Sequence, residues 1–240
     1  LTEIYGVPLK KTQLIHHGVP DINYKHGVRS KRILNLENKK VLLTFGLLSR
    51  NKGIETVIKA LPRVIEKHPD LIYIVMGKTH PAVQKISGEE YRNYLIRLVE
   101  QLGIEKYVHF YDKFVSEKDL IQHLSATDIY ITPYLNKRQS TSGTLSYAIG
   151  AGNAVISTPY WHAEEMLAEE RGYLFDFNND QQLSSILLNL LGNPKQLVKV
   201  SLRAYAYGRR TIWPVIGGVH LKLFKPSIKN GNLYGRGTTD

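Results

Sequence analysis

Two short stretches of the sequence gather residues that can hold an anion. Residues 45–53, FGLLSRNKG, place a glycine, two cations (Arg50 and Lys52) and a second glycine just ahead of an apolar-periodic run. Backbone N–H groups at a helix start lack intrahelical partners and sit at the positive end of the dipole. A phosphate is attracted there, and Lys52 adds a point charge. Neither G-x(4)-G-K-[ST] nor G-x-G-x-x-G is present, and an ordinary exposed loop is the competing reading. In the second stretch, Ser140, Thr141, Ser142 and Gly143 crowd hydroxyls and free amides at the entrance of an Ala/Gly-rich helix. That suits a second phosphate or an oxyanion; a Ser/Thr N-cap on a closely packed helix is the alternative.

The elements that must position these stretches alternate regularly. Nearly continuous apolar runs at 41–46, 71–76, 107–110, 129–132, 154–157 and 172–175 read as strands. Helix-period stripes are expected over 53–68, 88–103, 116–123, 142–151, 179–192 and 194–208. Ser116 with Asp119 is an approximate capping box. Apolar strands separated by helices predict an α/β fold, a Rossmann-like parallel sheet with helices on both faces. Such a sheet binds ligands at the carboxyl ends of its strands. The segments to inspect are therefore 46–53, 77–81, 113–116, 133–143 and 158–165. Residues 1–40 show no comparable unit, and 225–240 read as a linker or tail.

The composition narrows the function. The chain has 240 residues, no cysteine and a formal net charge of +11, so disulfides, thiolate metal sites and cysteine nucleophiles are excluded. The charge is uneven: residues 1–40 carry eight Lys/Arg against three acids, and 191–240 carry nine against one. The middle is nearly neutral. Basic ends suit nucleic acid, an anionic membrane surface or plain solvation, but no RNA-binding signature or zinc-finger spacing is present. His16 and His17 lack a third ligand at metal spacing, so no metal site is expected. No apolar run approaches ~18 residues. The start lacks the n- and h-regions of a signal peptide. With Leu1 in the initiator position, a piece of a longer, cytoplasmic protein is expected.

The wider pattern resembles the C-terminal, nucleotide-sugar-binding half of a GT-B glycosyltransferase of family 4, particularly its mannosyltransferase-like members. The resemblance runs from Ile15-His-His-Gly-Val-Pro20, similar to the segment where that family crosses between its two domains, to Leu223-Phe224. FGLLSRNKG resembles the family's diphosphate loop, and VMGKTHP (75–81) the glycine turn of its second strand. VHFYDKFVS (108–116) is similar to the stretch beside the nucleobase. ATDIYITPY (126–134) is similar to the strand before the donor loop, and SGTLSYAIGAGNAVISTP (142–159) to the donor helix and following strand.

The resemblance implies a domain over 41–224, an interdomain crossing in 1–40, and an N-terminal acceptor-binding domain outside this sequence. It implies transfer of a sugar, mannose from GDP-mannose being favoured, to a glycan or lipid-linked acceptor. It further implies retention of anomeric configuration, with no metal or cofactor beyond the nucleotide-sugar. Lys52 falls on the family's phosphate-binding lysine. The arginine usual after the loop's first glycine is Leu47 here, leaving Arg50 as the nearby cation. The two glutamates the family carries eight positions apart are Gln139 and Tyr147.

The expected donor site therefore comprises Gly46, Arg50, Lys52, Gly77, Lys113, Phe114, Gln139, Ser140, Thr141, Ser142, Gly143 and Tyr147. Lys52, Arg50 and the amides of Ser142 and Gly143 would serve the leaving diphosphate. Gln139 and Ser140 would orient the sugar, Lys113–Phe114 would hold the base, and Tyr147 would face the ribose. Gln139 and Lys52 are the catalytic candidates. His80 reads as an exposed turn residue and His162, Glu164 and Glu165 as the start of a helix. Arg209, Arg210 and Trp213 read as surface charge and a packing anchor. The rival readings are a non-catalytic nucleotide-sugar-binding module and a basic-ended binder of an anionic surface. Of the latter, peripheral contact with a membrane is expected and nucleic acid is not.

Overall fold

The apolar runs form strands, the four central ones buried on both faces and the two edge strands partly exposed. In chain order these are β1 (Lys40–Phe45), β2 (Leu71–Met76), β3 (Val108–Tyr111), β4 (Ile129–Thr132), β5 (Ala154–Ser157) and β6 (Tyr173–Leu174). The structure is a computed structural model that describes residues 2–24 and 27–229. All six strands pair in parallel, in the order β3-β2-β1-β4-β5-β6. The order reverses between β1 and β4, and the loops after those two strands flank the resulting crevice.

The helices are α1 (Thr2–Tyr5), α2 (Gly27–Ile33), α3 (Ile54–Ile65), α4 (Pro81–Ser87), α5 (Glu90–Gln101), α6 (Glu117–Ala126), α7 (Gly143–Ala151), α8 (Trp161–Leu167), α9 (Asp180–Gly192), α10 (Pro194–Gly208) and α11 (Trp213–Lys229). Two cores lie on opposite faces of the sheet. Leu42, Tyr73, Val75, Ile129 and Ile156 pack under α3, α5 and α9. Val41, Leu43, Ile74, Tyr130 and Val155 pack under α6, α7 and α8. The alternation of Val41, Leu42 and Leu43 between these cores is the strand period of two, and it shows that the sheet is covered on both faces.

Several expectations are refined. The helix expected over 88–103 is preceded by the separate α4, which buries no residue and so carries no apolar stripe. Ser116 is the N-cap of α6, its Oγ accepting the Asp119 N–H at 3.1 Å and donating to the Asp119 carboxylate at 2.8 Å. Ahead of β1, Ile22 and Leu36 join the core and α2 packs on α6. The packed body thus includes residues that precede position 41. Val19 bridges to Ile212, and the Tyr205 hydroxyl donates to Ile22 O at 2.9 Å. At the other end, α11 continues to Lys229, inside the stretch read as a linker; the rest of that stretch, 230–240, lies outside the described residues. Among the described residues no helix is long and apolar enough to cross a membrane.

Candidate functional site

The crevice is built from strand ends that approach very closely. Gly77, at φ +139°, lies so near Gly46 that a Cβ there would run into the Gly46 carbonyl oxygen. Gly46, at φ +127°, would direct its own Cβ to 3.3 Å from Thr144 Cγ2 and 3.8 Å from Lys52 Nζ. Past the glycines, a bridge between Leu48 and Thr79 prolongs the pairing of the two loops. The Leu48 N–H donates to Lys78 O at 2.8 Å and the His80 N–H to Leu48 O at 2.9 Å.

Lys52 turns inward over the face of Tyr134, its Nζ 3.7 Å from the ring centroid. Tyr134 is fixed by stacking on Tyr160, with centroids 5.4 Å apart, and by a 2.7 Å hydrogen bond between its hydroxyl and Thr144 Oγ1. Burial drives the Lys52 ammonium down from its ordinary 10.5 to about 8. No carboxylate among the described residues lies within ion-pair distance of it. A desolvated cation without a counter-charge favours an incoming anion.

The start of α7 supplies the facing donors. Ser142 is the N-cap, its Oγ accepting the Leu145 N–H at 3.3 Å. The Ser142 N–H is itself taken by His162 Nδ1 at 3.1 Å, so the leaving-group role expected of that amide passes elsewhere. The amides of Gly143 and Thr144 precede the first intrahelical bond and have no partner among the described residues. They complete the cradle with Lys52. The His17 imidazole is brought over the same point, its Nε2 3.1 Å from where a side chain at Gly143 would begin.

Other expected residues fall at varying distances from this centre. Arg50 is turned outward, paired with Glu90 and lying 5.8 Å from the Tyr91 ring centroid, so it does not join Lys52. Gln139 donates from Nε2 to Thr141 O at 3.1 Å, and Ser140 and Thr141 are exposed. Tyr147 is half-buried on α7, and its hydroxyl is pushed up by burial and by Glu117. Phe114, 85% exposed, and Lys113 border an apolar cavity of about 190 Å³ with Phe45, Leu47, Met76 and Val115. Gly46 and Gly77 also line it. His80 caps α4 by accepting the Ala82 N–H, which accounts for it without chemistry. Trp213 fills the space over Gly18, as a packing anchor. Arg209 pairs with Asp21 and donates to Gly150 O, tying the start of the chain to α7 rather than standing as free surface charge.

Sequence reasoning missed Tyr134, Thr144 and Arg92. Tyr134 ends the strand–loop junction and Thr144 follows the Ser/Gly cluster, so both lay within reach of the strand-end rule. Arg92 is buried in α5 and links two strand-end segments to the start of its own helix. It donates to Gly77 O at 2.8 Å and pairs with Asp112 at 2.8 Å and Glu89 at 3.1 Å. A larger hollow of about 340 Å³ lies at the opposite, amino ends of β4 and β5. Its lining cation, Lys31, is neutralised by Asp128 at 2.6 Å, so it offers an anion little. Among the described residues no group of His, Cys, Asp or Glu has the arrangement to hold a metal ion.

The family model for glycosyl transferases group 1 matches residues 29–209. Spore coat protein SA of Bacillus subtilis is 27% identical over 82% of this chain and 53% of its own length. The chain therefore spans about half of that relative. The Anabaena Alr3699/HepE structure in complex with UDP superposes with a TM-score of 0.76 at 19% identity, over 92% of this chain and 59% of that one. The C-terminal domain of a glycosyl transferase group 1 family protein (LpcC) from Francisella tularensis gives 0.68 at 20% identity, over 78% of this chain and 92% of its own. At these identities the structural likeness establishes the fold.

Proposed function

The chain belongs to the group 1 glycosyl transferases, and on that premise we propose that it is the donor-binding half of an enzyme that transfers a sugar from a nucleoside diphosphate. One observation carries the reading. Lys52, desolvated and without a carboxylate, converges with the unpaired Gly143 and Thr144 amides beside Gly46. Glycosyl transfer requires stabilisation of a departing diphosphate while positive charge grows on the anomeric carbon. Lys52 and the two amides meet the first requirement. The apolar cavity beneath Phe114 accepts a base ring, and Gln139 with Ser140 reaches sugar hydroxyls. The UDP held by the HepE structure supports a nucleotide in this crevice. Mannose from GDP-mannose, retention of configuration and a glycan or lipid-linked acceptor bound by a second domain complete the proposal.

A second reading, a nucleotide-sugar-binding module without transfer, is favoured by Gln139 and Tyr147. Neither can act as an ionised carboxylate. Contact of the basic ends with an anionic membrane is a weaker proposal, because Lys31, Lys40, Lys199, Arg203 and Arg209 are already paired with Asp128, Asp70, Glu170 and Asp21. A thermal-shift screen with GDP, UDP, ADP and their sugars tests the donor reading. Stabilisation by at least one nucleotide diphosphate is expected, and none at millimolar concentration overturns it. Sugar transfer by the full-length protein then separates the enzyme from the module.

A further inference from the structure

The amino end of α8 and the loop before α7 cap one another. The Trp161 N–H donates to Lys137 O at 3.1 Å, and the His162 N–H to Gln139 O at 3.2 Å. The first amides of α8 are thus consumed by the 137–139 loop instead of being offered to a ligand. In return, the buried His162 side chain accepts the Ser142 N–H at Nδ1. Ser142 is also buried, at 4% exposure, so its amide has no water to replace that acceptor. The residue after Ser142 is Gly143, and Thr144 beyond it packs with Lys52 about Gly46.

We propose that His162 is a positioning residue for the donor site: its neutral ring straps residues 139–142 across the start of α8 and so fixes the direction of the Gly143 and Thr144 amides. The proposal rests on the reading of the α7 amino end as the diphosphate site. The bond requires Nδ1 to be unprotonated, with the ring proton on Nε2. Among the described residues, Glu165 on α8 and His16 and His17 from the amino-terminal segment are the titratable groups that act on the ring. Burial, reinforced by the two histidines and opposed by Glu165, holds His162 below its ordinary 6.5. The strap is therefore intact above 6.5. It is lost as pH falls through the lowered folded-state value, where the imidazolium has no lone pair for Ser142.

The experiment compares His162→Ala, His162→Asn and His162→Gln with the wild-type chain, using calorimetric titration with GDP and UDP from pH 5 to 8. Hydrogen exchange of the Ser142 amide is followed in parallel. An Asn oxygen falls where Nδ1 does, whereas a Gln oxygen reaches the Nε2 position. His162→Ala and His162→Gln are expected to weaken nucleotide binding about tenfold, the equivalent of one buried hydrogen bond, with His162→Asn within about threefold of wild type. The acid-side loss of affinity should be steeper in wild type than in His162→Asn; titration of the nucleotide's own phosphate is common to both. Ser142 exchange should accelerate in the Ala and Gln variants alone. Equal affinity and equal Ser142 protection in wild type and His162→Ala would overturn the proposal. A wild-type chain that binds neither nucleotide overturns the donor reading instead, and Ser142 exchange still decides whether His162 forms the strap.

Discussion

Lys52→Met should make the chain more stable and less able to bind a nucleotide diphosphate, two effects of opposite sign from one side chain. The fall of the ammonium from 10.5 to about 8 corresponds to about 3 kcal/mol of stability lost by holding a charge in a buried setting. Loss of the contact over Tyr134, 3.7 Å from the centroid, returns about 1 kcal/mol. Met fills the same stem volume, so the net gain is about 2 kcal/mol at pH 7, a rise in Tm of about 6 °C for a chain of this size.

The pH dependence has a defined sign. The folded-state value lies below the unfolded one, so the burden is full below pH 8 and fades as the lysine neutralises between 8 and 10.5. The stability gap between Lys52→Met and wild type should narrow across that window. Calorimetry with GDP and UDP should meanwhile show binding weakened about thirtyfold, the scale of a charge-assisted contact. Destabilisation by the variant at pH 7, a gap that ignores pH, or unchanged nucleotide affinity would each refute the reasoning.

Arg50→Ala should change nucleotide affinity by less than about threefold, because Arg50 is an exposed partner of Glu90; calorimetry checks this. Phe114→Ala should leave stability within about 0.5 kcal/mol in a urea melt. It should weaken GDP and UDP but not inorganic diphosphate, since Phe114 borders the apolar cavity. Gly77→Ala combines a φ of +139° with a collision against Gly46 O. It should cost about 3 kcal/mol or more, read as a lowered Tm together with lost nucleotide binding.

The sheet was legible because its central strands are apolar on both faces, as in Leu71–Met76, which is buried throughout. The capping of α6 was legible because Ser116 and Asp119 are local partners. Helices without a local signal were not. Trp213–Lys229 carries Gly217 and Gly218, residues that argue against a helix. Its first residue is held in place by Gly18, nearly two hundred positions earlier. The site divides the same way. Lys52 and Gly143 stood out by type and spacing, and the strand-end rule placed them at one edge of the sheet. The turning of Arg50 toward Glu90, the strap from His162 to Ser142 and the platform of Tyr134 under Lys52 depend on contacts between distant segments, which spacing along the chain does not encode.

The central claim is that a nucleoside diphosphate sits between Lys52 and the amino end of α7. The most direct measurement is an amide NMR titration of this chain with GDP and with UDP. The Gly46, Gly143 and Thr144 amides should shift together in wild type, and Lys52→Met should need about thirtyfold more nucleotide for the same shifts. Shifts confined to the opposite end of the sheet, around Asp128 and Asn153, or an identical response from the Lys52→Met chain, would contradict it.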